Sequence, residues 1–145
     1  MKWADEISVD PAKWMAEARL HVSGEADFLA DHFPAWPTLP GALMLEAAAQ
    51  AASALWRALC HEGERAFSSY LERLEQLRIT RRVAPGETFI ARVILKGLSD
   101  GAADFEAQGM VANERCMRAR FRLRDAASEG VQRRGDSNRS IEVQR

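Results

Sequence analysis

The sequence predicts an α+β domain in which one long helix is wrapped by an antiparallel sheet, and three observations predict it. A single Ala-, Leu- and Met-rich run from Gly41 to about His61 has helix-forming composition and no internal Gly or Pro. Strand-like segments separated by turn signals follow it. Two shorter strand-like segments precede it. One long helix followed by a strand meander belongs to the architectures in which a sheet covers a helix.

Taken in order, Ile7 to Val9 reads as a short first strand, joined through the Asp10-Pro11 turn to an alternating second strand, Ala16 to Ser23. The two form an opening hairpin. A loop from Gly24 to Pro40 follows, in which Pro34, Pro37 and Pro40 fix three backbone angles within seven residues. His32 is therefore presented by a stiff loop, and Pro40-Gly41 suits the opening of a helix. The helix is apolar around most of its circumference, which predicts burial on all sides. Glu46, Gln50, Ser53 and Arg57 recur at steps of four, three and four, so they lie in one line along it. A carboxylate in the apolar first half of such a helix is expected to be buried, and therefore paired, hydrogen-bonded or functional.

Beyond the helix, strands are predicted at Ala66 to Thr80, Thr88 to Leu98, Ala103 to Ala112 and Arg115 to Arg124. Pro85-Gly86-Glu87 and Ser99-Asp100-Gly101 break the first three, and Asn113-Glu114 reads as a short hairpin connection. In the last strand Arg118, Arg120, Arg122 and Arg124 alternate with Met117, Ala119, Phe121 and Leu123, which places all four guanidinium groups on one side. That row is either a solvated outer face or a surface for an acidic partner. From Ala126 to Arg145 there is no periodic apolar pattern, so residues 1–125 are expected to form the domain and 126–145 a loose or disordered tail.

Composition narrows the function classes. A chain of 145 residues, 47% hydrophobic and 28% charged, has the balance of one soluble domain. Its formal net charge of -1 lacks the basic excess of a non-specific nucleic-acid binder. No charge-free apolar window of about 18 residues occurs, and the start Met-Lys-Trp-Ala-Asp-Glu lacks the apolar run of a signal peptide, so a cytoplasmic protein is expected. Cys60 and Cys116 stand in unlike settings and are expected to be buried free thiols. No spacing among His21, His32, His61 and the carboxylates suggests a metal site.

The segment around the helix opening carries the chemistry. His32-Phe33-Pro34, then Pro40-Gly41, then Leu45-Glu46-Ala47 and Gln50 set histidine to glycine nine residues apart, histidine to acid fourteen, and acid to glutamine four. In this pattern the chain resembles the 3-hydroxyacyl-acyl-carrier-protein dehydratases of the hot-dog fold. The similarity continues through Leu77-Arg78-Ile79, Arg82-Val83 and Pro85-Gly86-Glu87, and covers about Ala16 to Asp125. Three positions depart from that family's usual pattern. Asp31 and Ala35 stand where glycine is common, with Trp36 after them, which adds bulk at the mouth of the site and bears on substrate choice.

The resemblance implies a dimer joined edge to edge, with His32 from one chain meeting Glu46 of the other, and Gln50 orienting the acid. It implies loss of water from a 3-hydroxyacyl thioester, in fatty-acid or polyketide-type synthesis. A neutral imidazole suits removal of the proton next to the carbonyl, and a carboxyl raised in pKa by an apolar pocket suits protonation of the departing hydroxyl. The Gly41 N–H, at the positive end of the helix, suits the charge that develops on the thioester oxygen. Phe33 and Trp36 are expected to contact the acyl chain. Arg78, Arg81 and Arg82 are candidates for docking an acidic acyl carrier protein, or else ordinary strand-edge charges. No metal or cofactor is implied beyond the phosphopantetheine that carries the substrate. The competing readings are a hot-dog thioesterase and a non-catalytic subunit of a heteromeric hot-dog protein.

Overall fold

The computed structural model describes residues 4–23, 38–63 and 67–127. Strands β1 (Glu6–Asp10) and β2 (Met15–His21) form the opening hairpin, joined by one 3₁₀ turn, Pro11–Lys13, and by Trp14 at φ 57°. Helix α1 (Gly41–Cys60) follows. Strands β3 (Ser69–Ile79), β4 (Thr88–Ser99), β5 (Ala102–Val111) and β6 (Glu114–Asp125) complete a six-stranded sheet in the order β1-β2-β4-β5-β6-β3, antiparallel throughout. No helix among the described residues is long and apolar enough to cross a membrane.

Local chemistry explains the turns. Between β5 and β6 the two-residue connection is Ala112-Asn113, one residue earlier than the spacing suggests, with φ 50° and 65°. Paired positive φ values define the type I′ turn, whose twist matches that of the flanking strands. Gly109 of β5 marks a close approach inside the sheet. A Cβ there would lie 2.4 Å from Phe89 Cε2 and 2.9 Å from Met117 Cβ, so only glycine lets the phenyl ring of β4 lie against this backbone.

Helix α1 packs mainly on β1, β2 and β4, burying Met44, Leu45, Ala47, Ala48, Ala51, Ala52, Leu55 and Trp56. Small alanines let the sheet come close to the helix backbone. The expectation of all-round burial is corrected: Ala42, Glu46, Arg57 and Cys60 are exposed, and Ala49, Gln50 and Ser53 half-buried. Alanine is abundant here because it favours the helix, and helix propensity carries no demand for burial. Cys60 is therefore an exposed thiol, whereas Cys116 is buried and its desolvation pushes the thiol up to about 11.

Strand β3 departs most from simple alternation. Opposite β6 its register slips between Leu71 and Arg73 and again between Leu74 and Gln76, so at each point two residues of β3 face one of β6. A spacing of three would otherwise send alternate leucines to opposite faces. The two bulges instead bring Leu71, Leu74 and Leu77 into one row beside the inward-facing Leu123, Phe121 and Ala119. Ile79, opposite Met117, extends the row. These four side chains remain 36 to 45% exposed, because α1 lies over the other half of the sheet.

Candidate active site

Two clefts open on the uncovered side of α1. The first, of about 410 Å³, surrounds the helix start and is lined by Thr38, Leu39, Pro40, Gly41, Met44 and the strand end Ile79 to Arg82. Backbone bonds place it: Leu39 N–H donates to the Val83 carbonyl at 2.9 Å, and the Thr38 hydroxyl reaches the same oxygen at 3.2 Å. The Pro40 carbonyl accepts from Leu43 and Met44 N–H, while the N–H of Gly41 makes no backbone hydrogen bond among the described residues. Ile79 covers this corner. A Cβ on Gly41 would stand 2.6 Å from Ile79 Cδ1, so glycine brings the helix start against the end of β3.

The loop after β3 is braced by Glu87, whose Oε1 accepts from Ala84 N–H at 2.8 Å. Arg81 forks onto both carboxylate oxygens, with Nη2 to Oε2 at 2.8 Å and Nη1 to Oε1 at 3.2 Å. Its Nε lies 2.9 Å from Glu114 Oε2. The Arg81 guanidinium first, and then the Ala84 N–H, hold the Glu87 carboxyl below the usual glutamate range. Arg81 is thus committed to the loop that carries Val83, and through Val83 it supports Leu39 and the helix start. Arg82 also lines the cleft, whereas Arg78 is exposed on the opposite face of β3.

The second cleft, of about 350 Å³, runs between α1 and β3 and is lined by Glu46, Ala49, Gln50, Ser53, Ser69, Tyr70, Leu71 and Leu123. The line Glu46, Gln50, Ser53 and Arg57 lies along this uncovered side, as its spacing predicts. Glu46 itself is exposed in the single chain, which corrects the expectation of a buried carboxylate. Gln50 Oε1 accepts from Ala4 N–H at 3.3 Å, tying the amino-terminal segment to the helix. Ser69 donates to the Ser53 hydroxyl at 2.8 Å and fixes β3 beside α1.

Gly41 and Glu46 therefore line separate clefts of one chain, both facing β3. His32, Phe33 and Trp36, together with Asp31 and Ala35, lie outside the described residues. Of the other histidines, His21 Nδ1 is 3.1 Å from Thr88 Oγ1, and His61 stacks on Phe67 at 4.3 Å between ring centres. Sequence reasoning missed Thr38, Ile79 and Ser69. A hydroxyl or a lone isoleucine carries no signal until the fold brings it to the helix.

A long helix laid across an antiparallel sheet, opened by Pro-Gly and carrying one carboxylate on its uncovered side, has the architecture of a hot-dog protein. The ApeI dehydratase family model matches residues 8–119, and the chain belongs to this ApeI-like dehydratase family. A 3-hydroxyacyl-acyl-carrier-protein dehydratase, FabZ, of Albidiferax ferrireducens is 32% identical over 114 residues, 78% of this chain and 75% of that protein. Among solved structures, the dehydratase heterocomplex ApeI:P of Xenorhabdus doucetiae superposes with a TM-score of 0.60 at 18% identity, over 86% of this chain and 99% of the other. A thioesterase of Haemophilus influenzae does so at 0.62 and 19% identity, over 83% and 76%. At these identities the two structures speak for the fold alone.

Proposed function

We propose that the protein is a hydro-lyase that converts a 3-hydroxyacyl thioester carried on acyl carrier protein to the trans-2-enoyl thioester, in fatty-acid or polyketide-type synthesis. The observation that carries this reading is the placement of the Gly41 helix opening and the Glu46 carboxylate on the one side of α1 left uncovered, both facing the open strand β3. His32 takes the proton from the carbon next to the carbonyl. The bond from C3 to the hydroxyl oxygen breaks as Glu46 protonates that oxygen, and water leaves. Negative charge on the thioester oxygen is met by the Gly41 N–H at the positive helix end. The proton taken by His32 returns to Glu46, so the enzyme is restored, with no cofactor beyond the phosphopantetheine of the carrier.

A second copy of the chain completes this site. Read outward from Leu74, β3 is nearly self-complementary: Arg73 matches Glu75, Glu72 matches Gln76, and Leu71 matches Leu77. Two antiparallel copies centred on Leu74 set each Arg73 against Glu75 of the partner subunit and cover the exposed leucine row. By the family resemblance, Glu46 then works together with His32 of the partner subunit.

The test is mass spectrometry of purified His32→Ala and Glu46→Gln proteins acting on a 3-hydroxyacyl-carrier substrate. Each substitution is expected to lower enoyl formation by about 10²-fold or more while leaving a folded dimer. Near-normal turnover by both variants overturns the reading. Release of free acid from a saturated acyl thioester would mark a thioesterase instead.

A further inference from the structure

The arginine row of β6 is divided by its neighbours. Arg122 forks onto Asp104 at 2.8 and 2.9 Å, and Arg124 pairs with Glu72, so the end of the row near Asp125 is neutralised within the chain. The other end is not. Arg118 lies opposite Arg78 of β3 and Gln108 of β5, and Arg120 lies opposite Gln76 and Glu106. Among the described residues, no ion pair engages Arg78, Arg115, Arg118 or Arg120. Like charges set directly opposite on paired strands repel, and an external anion relieves that repulsion.

Two grooves follow this unpaired end. One, of about 290 Å³, runs across the outer face between Arg92, Arg118 and Arg120, with Glu106 as its single carboxylate. The other, of about 200 Å³, is lined by Arg78, Thr80, Arg115, Met117 and Arg118. Arg118 belongs to both grooves, and Thr80 lines both the second groove and the Gly41 cleft. The outer arginines and the helix opening are thus neighbours across Arg118 and Thr80. On a chain of net charge -1 this basic excess is local.

We propose that the outer-face cluster of Arg78, Arg115, Arg118 and Arg120 is the docking surface for the acidic acyl carrier protein, which delivers the acyl arm past Thr80 to Gly41. This rests on the dehydratase reading, and it moves the docking role from Arg81 and Arg82 to β6. Arg81 is spent on Glu87 and Glu114. The carrier is the occupant that fits, because it is acidic and because the basic cluster borders, at Thr80, the cleft around Gly41. For Arg122 and Arg124 the plain role of a self-paired outer face stands.

Fluorescence anisotropy with labelled holo acyl carrier protein tests the surface, with Arg118→Glu/Arg120→Glu compared with Arg19→Glu, an exposed charge change on β2. Binding is expected to weaken at least tenfold in the double variant, to survive in Arg118→Lys/Arg120→Lys, and to be unchanged in Arg19→Glu. It should also weaken as salt is raised from about 0.05 to 0.3 M, because exposed charges are screened over a shorter range. Turnover of a 3-hydroxyacyl N-acetylcysteamine thioester, which has neither carrier nor phosphate, is expected to stay within twofold. Carrier binding within twofold of wild type in the double variant overturns the proposal. So does an equal loss on a free phosphopantetheine thioester, which would mark a phosphate site rather than a protein surface. The dehydratase reading is judged separately, by whether the wild-type protein converts the carrier-free thioester at all.

Discussion

The two edges of the sheet are built to opposite specifications. At one edge β1 is five residues long, and its Ile7 and Val9 pack partly buried against the core beneath α1. At the other, β3 is eleven residues long and holds four large apolar side chains in one exposed row. A long apolar edge is a liability in a monomer and is normally blunted by shortness, charge or cover. Strand β1 is short and covered, and β3 is neither. Its two bulges concentrate the apolar side chains on one face. The difference teaches that the β1 half is a finished core, while the β3 half is shaped like one side of an interface, beside the proposed catalytic carboxylate of Glu46.

Leu74→Lys breaks this comparison most severely. A lysine at the proposed twofold sets two like charges together and leaves the single chain intact, because the position is already exposed. Sedimentation should show the mass of one chain with near-native circular dichroism, and dehydration should fall by about 10²-fold or more as His32 and Glu46 separate. A dimer of normal activity would make β3 an ordinary edge. A partner protein that restores activity to the wild-type chain, as a heterocomplex would require, would make a different chain the occupant of that edge.

Gly109→Val probes the finished half. The new side chain meets Phe89 and Met117 within the sheet, and overpacking of this kind costs about 1–3 kcal/mol. Urea unfolding should show that loss, and sedimentation should show that the variant still self-associates, because the strain falls on Phe89 and Met117 and not on the leucine row of β3. Loss of the dimer at unchanged stability would contradict the division.

Glu87→Gln is the mildest change. The Arg81 fork holds the folded Glu87 carboxyl below the ordinary value of 4.5, so its stabilising contribution is complete above that pH and fades as pH falls through the lower folded value. The substitution should cost about 1 kcal/mol or less at pH 7, as for a half-buried surface pair, and nothing well below pH 4. Denaturation at the two pH values checks both halves. Because the brace reaches Gly41 through Val83 and Leu39, a small rise in KM should accompany it.

Much of this was legible in the residues. The helix from Gly41, the opening hairpin, the strand meander and the His32, Gly41 and Glu46 spacing all rest on local rules of propensity, turn chemistry and periodicity. Three features were not. The row formed by Leu71, Leu74 and Leu77 follows neither a period of two nor one of 3.6, and only pairing with β6 turns three alternate faces into one. Exposure of Glu46 and Cys60 was hidden by alanines that favour a helix whether or not it is covered. The arginine row of β6 reads as uniform, yet Asp104 and Glu72, from two other strands, neutralise one end, and among the described residues no ion pair does so at the other.

By itself, then, the sequence determined which elements form, where the helix begins, and which residue types stand at what spacing around it, because those follow from interactions within a few residues. Only the tertiary structure decided which side of that helix stays open, which leucines share a face and which arginines find a counter-charge. Those outcomes depend on strand register and on neighbours far apart in the chain, and a register shift of one residue reverses the side to which every side chain points.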